Sequence, residues 1–437
     1  MLRRKAYDKL AFWKKNKTKQ GLLVTGARQV GKTFLIREFA KQNYGHCVEI
    51  NLIENRRAAA SLNEAETAQD LLLRISLLAN TQLIPGETII FIDEVQNCKE
   101  MVTAIKFLVE QSDYDFVLSG SLLGVELANI RSVPVGYLDT VNMYPLDFEE
   151  FLWATGITNE AFERARDSFI NRRPLPDFIH ESLIKAFYKY LITGGMPEAV
   201  DAFCRSSNLQ LVRDIQKQII IQYKKDITQY NKENALIIKD IYDLMPSELN
   251  QKGKRFVVTS IKKSARFGAY ETCFVWLANA NVALPVYQVS SAEYPLLLYK
   301  SPNLFKLFMS DVGLLTSTFI KDTSLDILDR NPDINYGAIF ENAVAQDLSA
   351  HEVTLYYYNN KEKGEVDFII ETPRGSIVPI EVKSGKSYKR HSALTNLLSV
   401  KNSRIPEAFV LTGSNLESSG QVTYLPVYMA SFLSTLA

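Results

Sequence analysis

Residues 21–40 read GLLVTGARQVGKTFLIREFA, and this stretch decides the fold of the N-terminal part of the chain. It contains the pattern G-x-x-x-x-G-K-[ST], formed by Gly26, Ala27, Arg28, Gln29, Val30, Gly31, Lys32 and Thr33. Glycines let the backbone turn tightly, so that successive N–H groups point at phosphate oxygens. In this pattern the lysine reaches the β- and γ-phosphates, and the threonine hydroxyl binds Mg²⁺. The stretch therefore predicts a strand, a phosphate-binding loop (the Walker A motif) and a helix.

A second apolar run supplies the acidic residues that a nucleotide hydrolase needs. Residues 88–92 (TIIFI) are typical of a buried parallel strand, and Asp93 and Glu94 follow directly. Because the carboxyl ends of parallel strands meet at one edge of the sheet, both carboxylates should lie beside the phosphate-binding loop. Asp93 is predicted to hold the Mg²⁺ shell, and Glu94 to orient and deprotonate the attacking water.

A third apolar run, residues 115–118 (DFVL), is followed by Ser119, Gly120 and Ser121. Either serine hydroxyl could contact the γ-phosphate or the attacking water, and the pattern does not choose between them. We take Ser119 as the candidate nucleotide contact, with Ser121 as the open alternative. The alternative is that these residues form a plain turn.

These motifs resemble the AAA-type ATPase domain of a large prokaryotic family. The resemblance covers residues 18–155 and is carried by GARQVGKT, TIIFIDEVQ, FVLSGS and YPLDFEEFL. It implies ATP as the nucleotide and hydrolysis with Mg²⁺. Many ATPases of this class take an arginine from a neighbour, so a homo-oligomer stays open. The family often has an arginine or lysine after a glycine ahead of the last segment, but this chain has Gly136 and Tyr137 there. Arg131 is the remaining candidate for an arginine finger.

The middle of the chain reads as two helical regions. Residues 156–230 have helical apolar spacing and predict a connector, interrupted by the glycine pair and proline at 194–197, which we interpret as architecture. Residues 231–300 combine an apolar helical stripe with a β-pair ending near Tyr299. This order predicts a winged-helix-like unit.

Local basic clusters favour a nucleic-acid partner although the net charge is only +1. Residues 251–270 hold six basic residues and no acidic one: Lys252, Lys254, Arg255, Lys262, Lys263 and Arg266. Residues 1–20 hold eight basic residues beside Asp8. Such clusters neutralise phosphates and give salt-dependent binding. We expect DNA rather than RNA, and the alternative is a solvated loop face.

The C-terminal third carries a different set of charged residues. Glu341 lies in an amphipathic helix, and two strands at 365–370 and 377–383 are joined by a Pro-Arg-Gly turn, as in a hairpin. Glu381 and Lys383 share a strand face, and Asp367 can face the same side. Two or three carboxylates can hold Mg²⁺, and a lysine beside the metal can position or activate water for attack on a phosphodiester.

The order of these residues, followed by a helix at 393–400, resembles the PD-(D/E)xK nuclease-like fold. A domain of this character commonly follows the ATPase in the family above. The matching positions are Glu341, Asp367, Glu381 and Lys383. The resemblance implies metal ligands at the three carboxylates and a catalytic role for Asp367, Glu381 and Lys383. Two alternatives stay open: a cluster that binds without cutting, and plain structural charge.

Composition limits the remaining choices. The chain has 437 residues, four widely spaced cysteines and no apolar run near 18 residues, so we expect a cytoplasmic protein that does not cross a membrane and has buried, reduced thiols. The predicted fold class is α/β, with these domains: ATPase 1–155, helical connector 156–230, winged-helix-like unit 231–300 and restriction-endonuclease-like domain 301–437. Two functions remain open: an ATPase that controls a nuclease-like domain, or a non-cutting ATP-dependent switch that binds DNA or a protein.

Overall fold

A computed structural model describes residues 2–79, 81–121, 136–231, 233–319, 323–331, 333–400 and 404–437. Arg131, the candidate arginine finger, lies outside these residues. The chain forms two compact units, one over Arg3–Tyr144 and one over Pro145–Ala278 with Val282–Ala437. No helix of the described residues is long and apolar enough to cross a membrane.

Unit 1 (Arg3–Tyr144) is a five-stranded parallel sheet with helices packed on it. Its strands are β1 Gly21–Gly26, β2 His46–Asn51, β3 Thr88–Asp93, β4 Asp115–Gly120 and β5 Leu138–Met143. Its described helices are α1 Lys5–Asn16, α2 Lys32–Asn43, α3 Arg56–Asn63, α4 Ala68–Leu78 and α5 Lys99–Gln111. The strand order is β2-β3-β4-β1-β5, with every neighbouring pair parallel. The predicted α/β class and parallel sheet are confirmed, and all five carboxyl ends lie at one edge.

The burial pattern explains why these strands form. All six residues of β3 are buried, as expected for a central strand covered on both faces. Strand β2 alternates instead, with Val48 and Ile50 inward and Cys47 exposed on the other face. The four cysteines are free, but Cys47 and Cys204 are exposed, so the expectation that all four are buried is wrong for these two.

Unit 2 combines a helical segment with a mixed eight-stranded sheet. The described helices are α6 Phe148–Ala154, α7 Asn159–Asn171, α8 Asp177–Thr193, α9 Pro197–Ser206, α10 Leu209–Tyr230, α11 Ala235–Asn250, α12 Phe267–Asn279, α13 Val312–Ser317, α14 Thr323–Leu328, α15 Tyr336–Ala350 and α16 Ser392–Leu398. The strands are β6 Ala283–Val289, β7 Lys300–Met309, β8 Tyr356–Asn360, β9 Gly364–Glu371, β10 Ile377–Lys383, β11 Ala408–Thr412, β12 Glu417–Ser419 and β13 Val422–Pro426. They are ordered β12-β13-β11-β10-β9-β8-β6-β7.

The strand pair expected at the end of a winged-helix-like unit belongs to this large sheet. Strands β6 and β7 form an antiparallel pair, and β6 also pairs in parallel with β8. Residues 305–309 of β7 are buried, so this strand needs the cover of the whole sheet and its helices. A boundary at residue 300 therefore falls between two paired strands, and the β-pair is not a separate wing.

The glycine pair ahead of α9 is architectural, as its turn chemistry suggests. Gly194 has φ +68°, and a Cβ there would lie 2.2 Å from Oδ1 of buried Asp311. The N–H of Gly195 donates to Oδ2 of Asp311 at 2.6 Å. Only glycine leaves room for this approach of the backbone to a carboxylate.

Candidate functional sites

The loop between β1 and α2 has the backbone of a phosphate cradle. Gly26 has φ +138°, and a Cβ there would lie 2.1 Å from the carbonyl oxygen of Met143. Gly31 has φ +94° and precedes α2, while Gln29 is a non-glycine residue at φ +68°. A non-glycine residue in the left-handed region is uncommon and marks a conformation that its surroundings impose.

The backbone N–H groups of this loop are available to a phosphate. Across the described chain, those of Gln29, Val30 and Gly31 donate no hydrogen bond to the protein. The loop is held from behind, because Arg4 donates to the carbonyl oxygen of Val30 at 2.8 Å. Ala27 and Val30 are buried and pack the loop on the unit. Free N–H groups at the start of a helix suit an anion, so the loop fits a nucleotide phosphate.

Lys32 is buried but bonds to neutral groups. Its Nζ donates to the carbonyl oxygens of Gly26 at 2.9 Å and Ala27 at 2.8 Å. Burial lowers the pKa of Lys32 to about 8, although Glu94 and Asp93 oppose the shift. A buried ammonium whose direct partners are carbonyls is only partly compensated, and a phosphate would complete its charge.

Asp93 accepts hydrogen bonds from hydroxyl and amide groups at the carboxyl edge of the sheet. Oδ2 accepts from Thr33 Oγ1 at 2.9 Å and from Asn51 Nδ2 at 3.2 Å, and Oδ1 accepts from Ser119 Oγ. The residues predicted to bind Mg²⁺, Thr33 and Asp93, are therefore in direct contact. Asn51 was missed by the sequence reasoning, although it ends β2 at the same edge.

Glu94 sits beside Asp93 in a constrained conformation. Its backbone is left-handed at φ +58°, and its Oε2 accepts from Gln96 Nε2 at 2.6 Å and from Ser121 Oγ at 3.3 Å. The two serines thus contact different carboxylates, Ser119 contacting Asp93 and Ser121 contacting Glu94. Strain of this kind concentrates at functional positions. Gln96 holds the candidate base and had no sequence signal of its own.

The second site lies in unit 2, where the four predicted residues converge. The hairpin forms as predicted, with β9 and β10 antiparallel. Lys383 Nζ lies 2.5 Å from Glu381 Oε1, which confirms that the two share a face. Asp367 Oδ2 accepts the N–H of Val382 at 2.9 Å, so β9 and β10 are also joined through this side chain. Glu341 from α15 is fully buried and reaches the same cluster through a shared lysine.

That shared lysine is Lys306 of β7, which the sequence reasoning missed. Its Nζ lies 3.0 Å from Glu365 Oε1, 3.3 Å from Glu341 Oε2 and 3.5 Å from Asp367 Oδ1. The side chain is 0% exposed. Burial alone would lower the pKa of Lys306, but the three carboxylates hold it above its usual value. The acid–lysine cluster therefore consists of Glu341, Glu365, Asp367 and Glu381 with Lys254, Lys306 and Lys383.

Glu381 is the least compensated member of the acid–lysine cluster. It is 5% exposed, and within the described residues its buried Oε2 has no hydrogen-bond partner. Burial and the charge of Asp367 raise the pKa of Glu381 to about 8, against the effect of Lys383. Burial likewise raises the pKa of Glu341, whereas Lys306 and Lys254 outweigh burial and lower that of Asp367. An unpartnered buried carboxylate oxygen fits a cation ligand.

The predicted basic segment, residues 251–270, borders this cluster. Lys254 Nζ donates to Glu341 Oε1, and Lys254 is partly exposed. The other five basic residues of the segment are exposed: Lys252, Arg255, Lys262, Lys263 and Arg266. Exposed basic side chains and buried carboxylates thus lie in one region of unit 2.

The first site, with its glycine loop, buried lysine and paired Thr33 and Asp93, defines a P-loop ATPase domain. Comparison agrees, since residues 18–152 match the family of the AAA domain. Residues 184–325 match a domain of unknown function (DUF8612), and residues 336–429 match another (DUF4143). The AAA domain implies binding of ATP, typically with Mg²⁺.

The solved structures that match the chain are distant from it. The chain is 15% identical to PCH-2 of C. elegans with a TM-score of 0.27, covering 47% of this chain and 61% of PCH-2. It is 12% identical to the Aeropyrum pernix ORC1 protein in complex with DNA (TM-score 0.31; 75% and 91% covered). It is 14% identical to the Thermotoga maritima RuvB Holliday junction branch migration motor (TM-score 0.28; 64% and 89%). No curated protein matches the sequence. These figures carry nothing about function.

Proposed function

We propose that this protein is a Mg²⁺-dependent ATPase whose C-terminal unit cleaves nucleic acid in a metal-dependent reaction. The observation that carries the second half is the convergence of Glu341, Asp367, Glu381 and Lys383 from a helix and two strands. Their order matches the PD-(D/E)xK pattern, and an exposed basic segment lies beside them. Of the two nucleic acids, DNA is the expected substrate.

In the ATPase site each residue has a distinct task. The loop N–H groups and Lys32 bind the phosphates, and Thr33 and Asp93 would hold Mg²⁺, which neutralises charge on the β- and γ-phosphates. Glu94 takes a proton from the attacking water. Ser121 and Gln96 hold the Glu94 carboxylate, so its freedom to reach the water depends on them. Ser119 fixes Asp93 and reports changes there to β4.

In the acid–lysine cluster, Asp367 and Glu381 would hold the divalent cation, with Glu341 as a third ligand. The cation would polarise a phosphoryl oxygen and lower the pKa of bound water. Lys383, whose Nζ lies 2.5 Å from Glu381 Oε1, would orient that water for attack on phosphorus. The attack forms one P–O bond and breaks another, leaving a phosphate and a hydroxyl at the cut ends. The orphan oxygen of Glu381 is the feature that fits this role best.

Cleavage of single- and double-stranded DNA and RNA with Mg²⁺ or Mn²⁺, with and without ATP, tests the proposal. Wild type is compared with Lys383→Ala and with Lys389→Ala as matched control, because Lys389 is an exposed lysine that pairs with Glu417 outside the cluster. We expect cleavage by wild type and Lys389→Ala, and loss of at least a hundredfold in Lys383→Ala. Intact substrate with all three proteins, while ATP is still hydrolysed, would overturn the nuclease role.

Nucleic-acid binding is tested separately by its dependence on salt. Neutralised phosphates release counterions, so the logarithm of the affinity should fall linearly with the logarithm of the salt concentration. Replacing Lys262 and Lys263 by Met should reduce that slope by about 2. An affinity that does not respond to salt would show that the basic segment does not bind phosphates.

A specific observation favours a second function, a switch that binds nucleic acid or a protein without cutting. Three ammonium groups already compensate most of the four carboxylates, and Lys306 lies within 3.5 Å of three of them. Such a cluster can be complete without a metal ion. Mn²⁺ titration of the full chain separates the two functions. A nuclease should bind Mn²⁺ in the cluster and lose that binding in Glu381→Gln, whereas a switch should show no difference between wild type and Glu381→Gln.

A further inference from the structure

The segment that follows α11 inserts one lysine into the acid–lysine cluster. Lys254 is a non-glycine residue with φ +48°, in the left-handed region. Its side chain runs along α15 past Gly337, where an added Cβ would lie 3.5 Å from Nζ, and ends on Glu341 one turn further along. The backbone is thus held in an uncommon conformation that directs this lysine inward.

The backbone on the C-terminal side of Lys254 is firmly anchored. The N–H of Phe256 donates to the carbonyl oxygen of Phe305 at 3.0 Å, and the two rings stack at 6.2 Å. Glu248 accepts from the N–H of Val257 at 2.9 Å and from Ser260 Oγ at 2.7 Å. The part that can exchange partners is therefore the Lys254 side chain rather than the segment.

Lys254 and Lys306 differ in their access to outside partners. The Lys254 side chain is 19% exposed, whereas that of Lys306 is 0% exposed, and both contact Glu341. Lys254 is flanked by exposed Lys252 and Arg255. A phosphate bound by Lys252 and Arg255 would lie beside Lys254. It would compete with Glu341 for the charge-assisted hydrogen bond that Lys254 donates. Lys306 has no such route and stays with its carboxylates.

We propose that Lys254 is an exchangeable cation that keeps Glu341 out of the divalent-cation site until a nucleic-acid phosphate withdraws it. This inference rests on the proposed function of the cluster and adds its regulation. When Lys254 leaves, Glu341 remains fully buried and loses one of its two ammonium partners, which is unfavourable unless another cation replaces it. A divalent cation is the replacement that the neighbouring carboxylates suit. Nucleic acid and metal therefore bind with positive coupling, and the coupling is reciprocal.

The test is Mn²⁺ titration of the full chain, with and without a 20-base-pair DNA duplex at low salt. The same titration of an Asp367→Asn, Glu381→Gln double variant is subtracted, so that only ions bound by the cluster are counted. The test variant is Lys254→Met, which keeps the length of the side chain. Lys389→Met is the matched control, because Lys389 is an exposed lysine that pairs with Glu417 outside the cluster.

We expect the duplex to tighten Mn²⁺ binding of wild type at least fivefold, in the usual range of coupling between sites. Lys254→Met should show this tighter binding without DNA and gain nothing further from the duplex, whereas Lys389→Met should behave as wild type does with and without DNA. If Lys254→Met and wild type bind Mn²⁺ with equal affinity without DNA, the proposed role of Lys254 is wrong, even if the protein cleaves DNA. If DNA tightens Mn²⁺ binding but no DNA is cleaved, the role of Lys254 stands and the proposed nuclease activity is wrong. No Mn²⁺ bound by the cluster in any variant would overturn both.

Discussion

Lys32 and Lys306 are both buried lysines in the centre of a candidate site, and their partners are opposite in kind. Lys32 donates to two carbonyl oxygens, and burial lowers its pKa to about 8. Lys306 lies among three carboxylates, which hold its pKa above the usual value despite burial. The charge of Lys32 is therefore compensated only in part, whereas the charge of Lys306 is compensated by carboxylates of the protein itself.

The difference separates a site that awaits an anion from one that is already neutralised. Burying a charge is unfavourable unless it is paired, so the protein maintains Lys32 at a cost that a bound phosphate removes. Lys306 needs no ligand, and its carboxylates are to that extent less available to a metal ion. Unit 1 thus offers a partly compensated ammonium to an anion, whereas in unit 2 a cation would have to compete with internal lysines.

The largest expected effect is a contrast in stability between two equivalent substitutions. Lys306→Met leaves three carboxylates without their shared ammonium and should cost about 3–5 kcal/mol, as breaking a buried ion pair does. Lys32→Met removes a charge that burial disfavours and should change stability by less than about 1 kcal/mol. Hydrogen exchange of the β9 and β10 amides in urea measures the first, and that of the β1 and β3 amides measures the second. Equal losses in both variants would refute the contrast.

The next effect concerns turnover in unit 1. Glu94→Gln keeps the hydrogen bonds from Gln96 and Ser121 within reach but cannot accept a proton, so ATP hydrolysis should fall at least a hundredfold while ATP still binds. Lys32→Ala should instead lose ATP binding. Binding of a fluorescent ATP analogue and release of phosphate measure the two properties separately. Normal turnover by Glu94→Gln would exclude Glu94 as the base.

A smaller effect is the response of ATP affinity to pH. With a pKa of about 8 in the free protein, Lys32 is charged below that pH, and phosphate contact favours the charged form. Binding of ATP above pH 8 must therefore take up a proton. The ATP affinity should be constant below pH 8 and should fall by up to about tenfold per pH unit above it. Titrations at pH 7.5, 8.5 and 9.5 measure this. Lys32→Arg stays charged, so its ATP affinity should not change over this pH range. An equal fall of affinity with pH in wild type and Lys32→Arg would show that Lys32 is not the group that titrates.

The motif residues could be located from the sequence because strand direction and parity fix them. Asp93 and Ser119 lie at the carboxyl ends of two apolar strands that share one edge of the sheet, and their contact follows from that rule. Glu381 and Lys383 are two residues apart on one strand and must share a face. The roles assigned to these side chains stay predictions, since proximity alone does not prove chemistry.

Lys306, Asn51 and Gln96 could not be assigned, because their partners are set by tertiary packing. Lys306 did leave a signal: it is a lone charge inside the apolar run 304–309 (LFKLFM), and lysine is almost never fully buried unless paired. The wing was misassigned for a related reason. A strand pair reads alike at the end of a winged helix and at the edge of a sheet, and only the pairing of β6 with β8 distinguishes them.

The smallest effect tests Glu381, the carboxylate that the lysines of unit 2 leave least compensated. Its pKa rises from the ordinary 4.5 to about 8 on folding, so the folded state binds the proton more tightly and stability should fall as pH rises from about 5 to 8. Glu381→Gln stays neutral and should flatten that fall, so that it is more stable than wild type at pH 8. Urea unfolding at pH 5.5 and 8 measures the difference, with exposed Glu417→Gln as control. If the fall with pH persists unchanged in Glu381→Gln, then a lysine already compensates this carboxylate, and the contrast between the two sites is sharper than proposed.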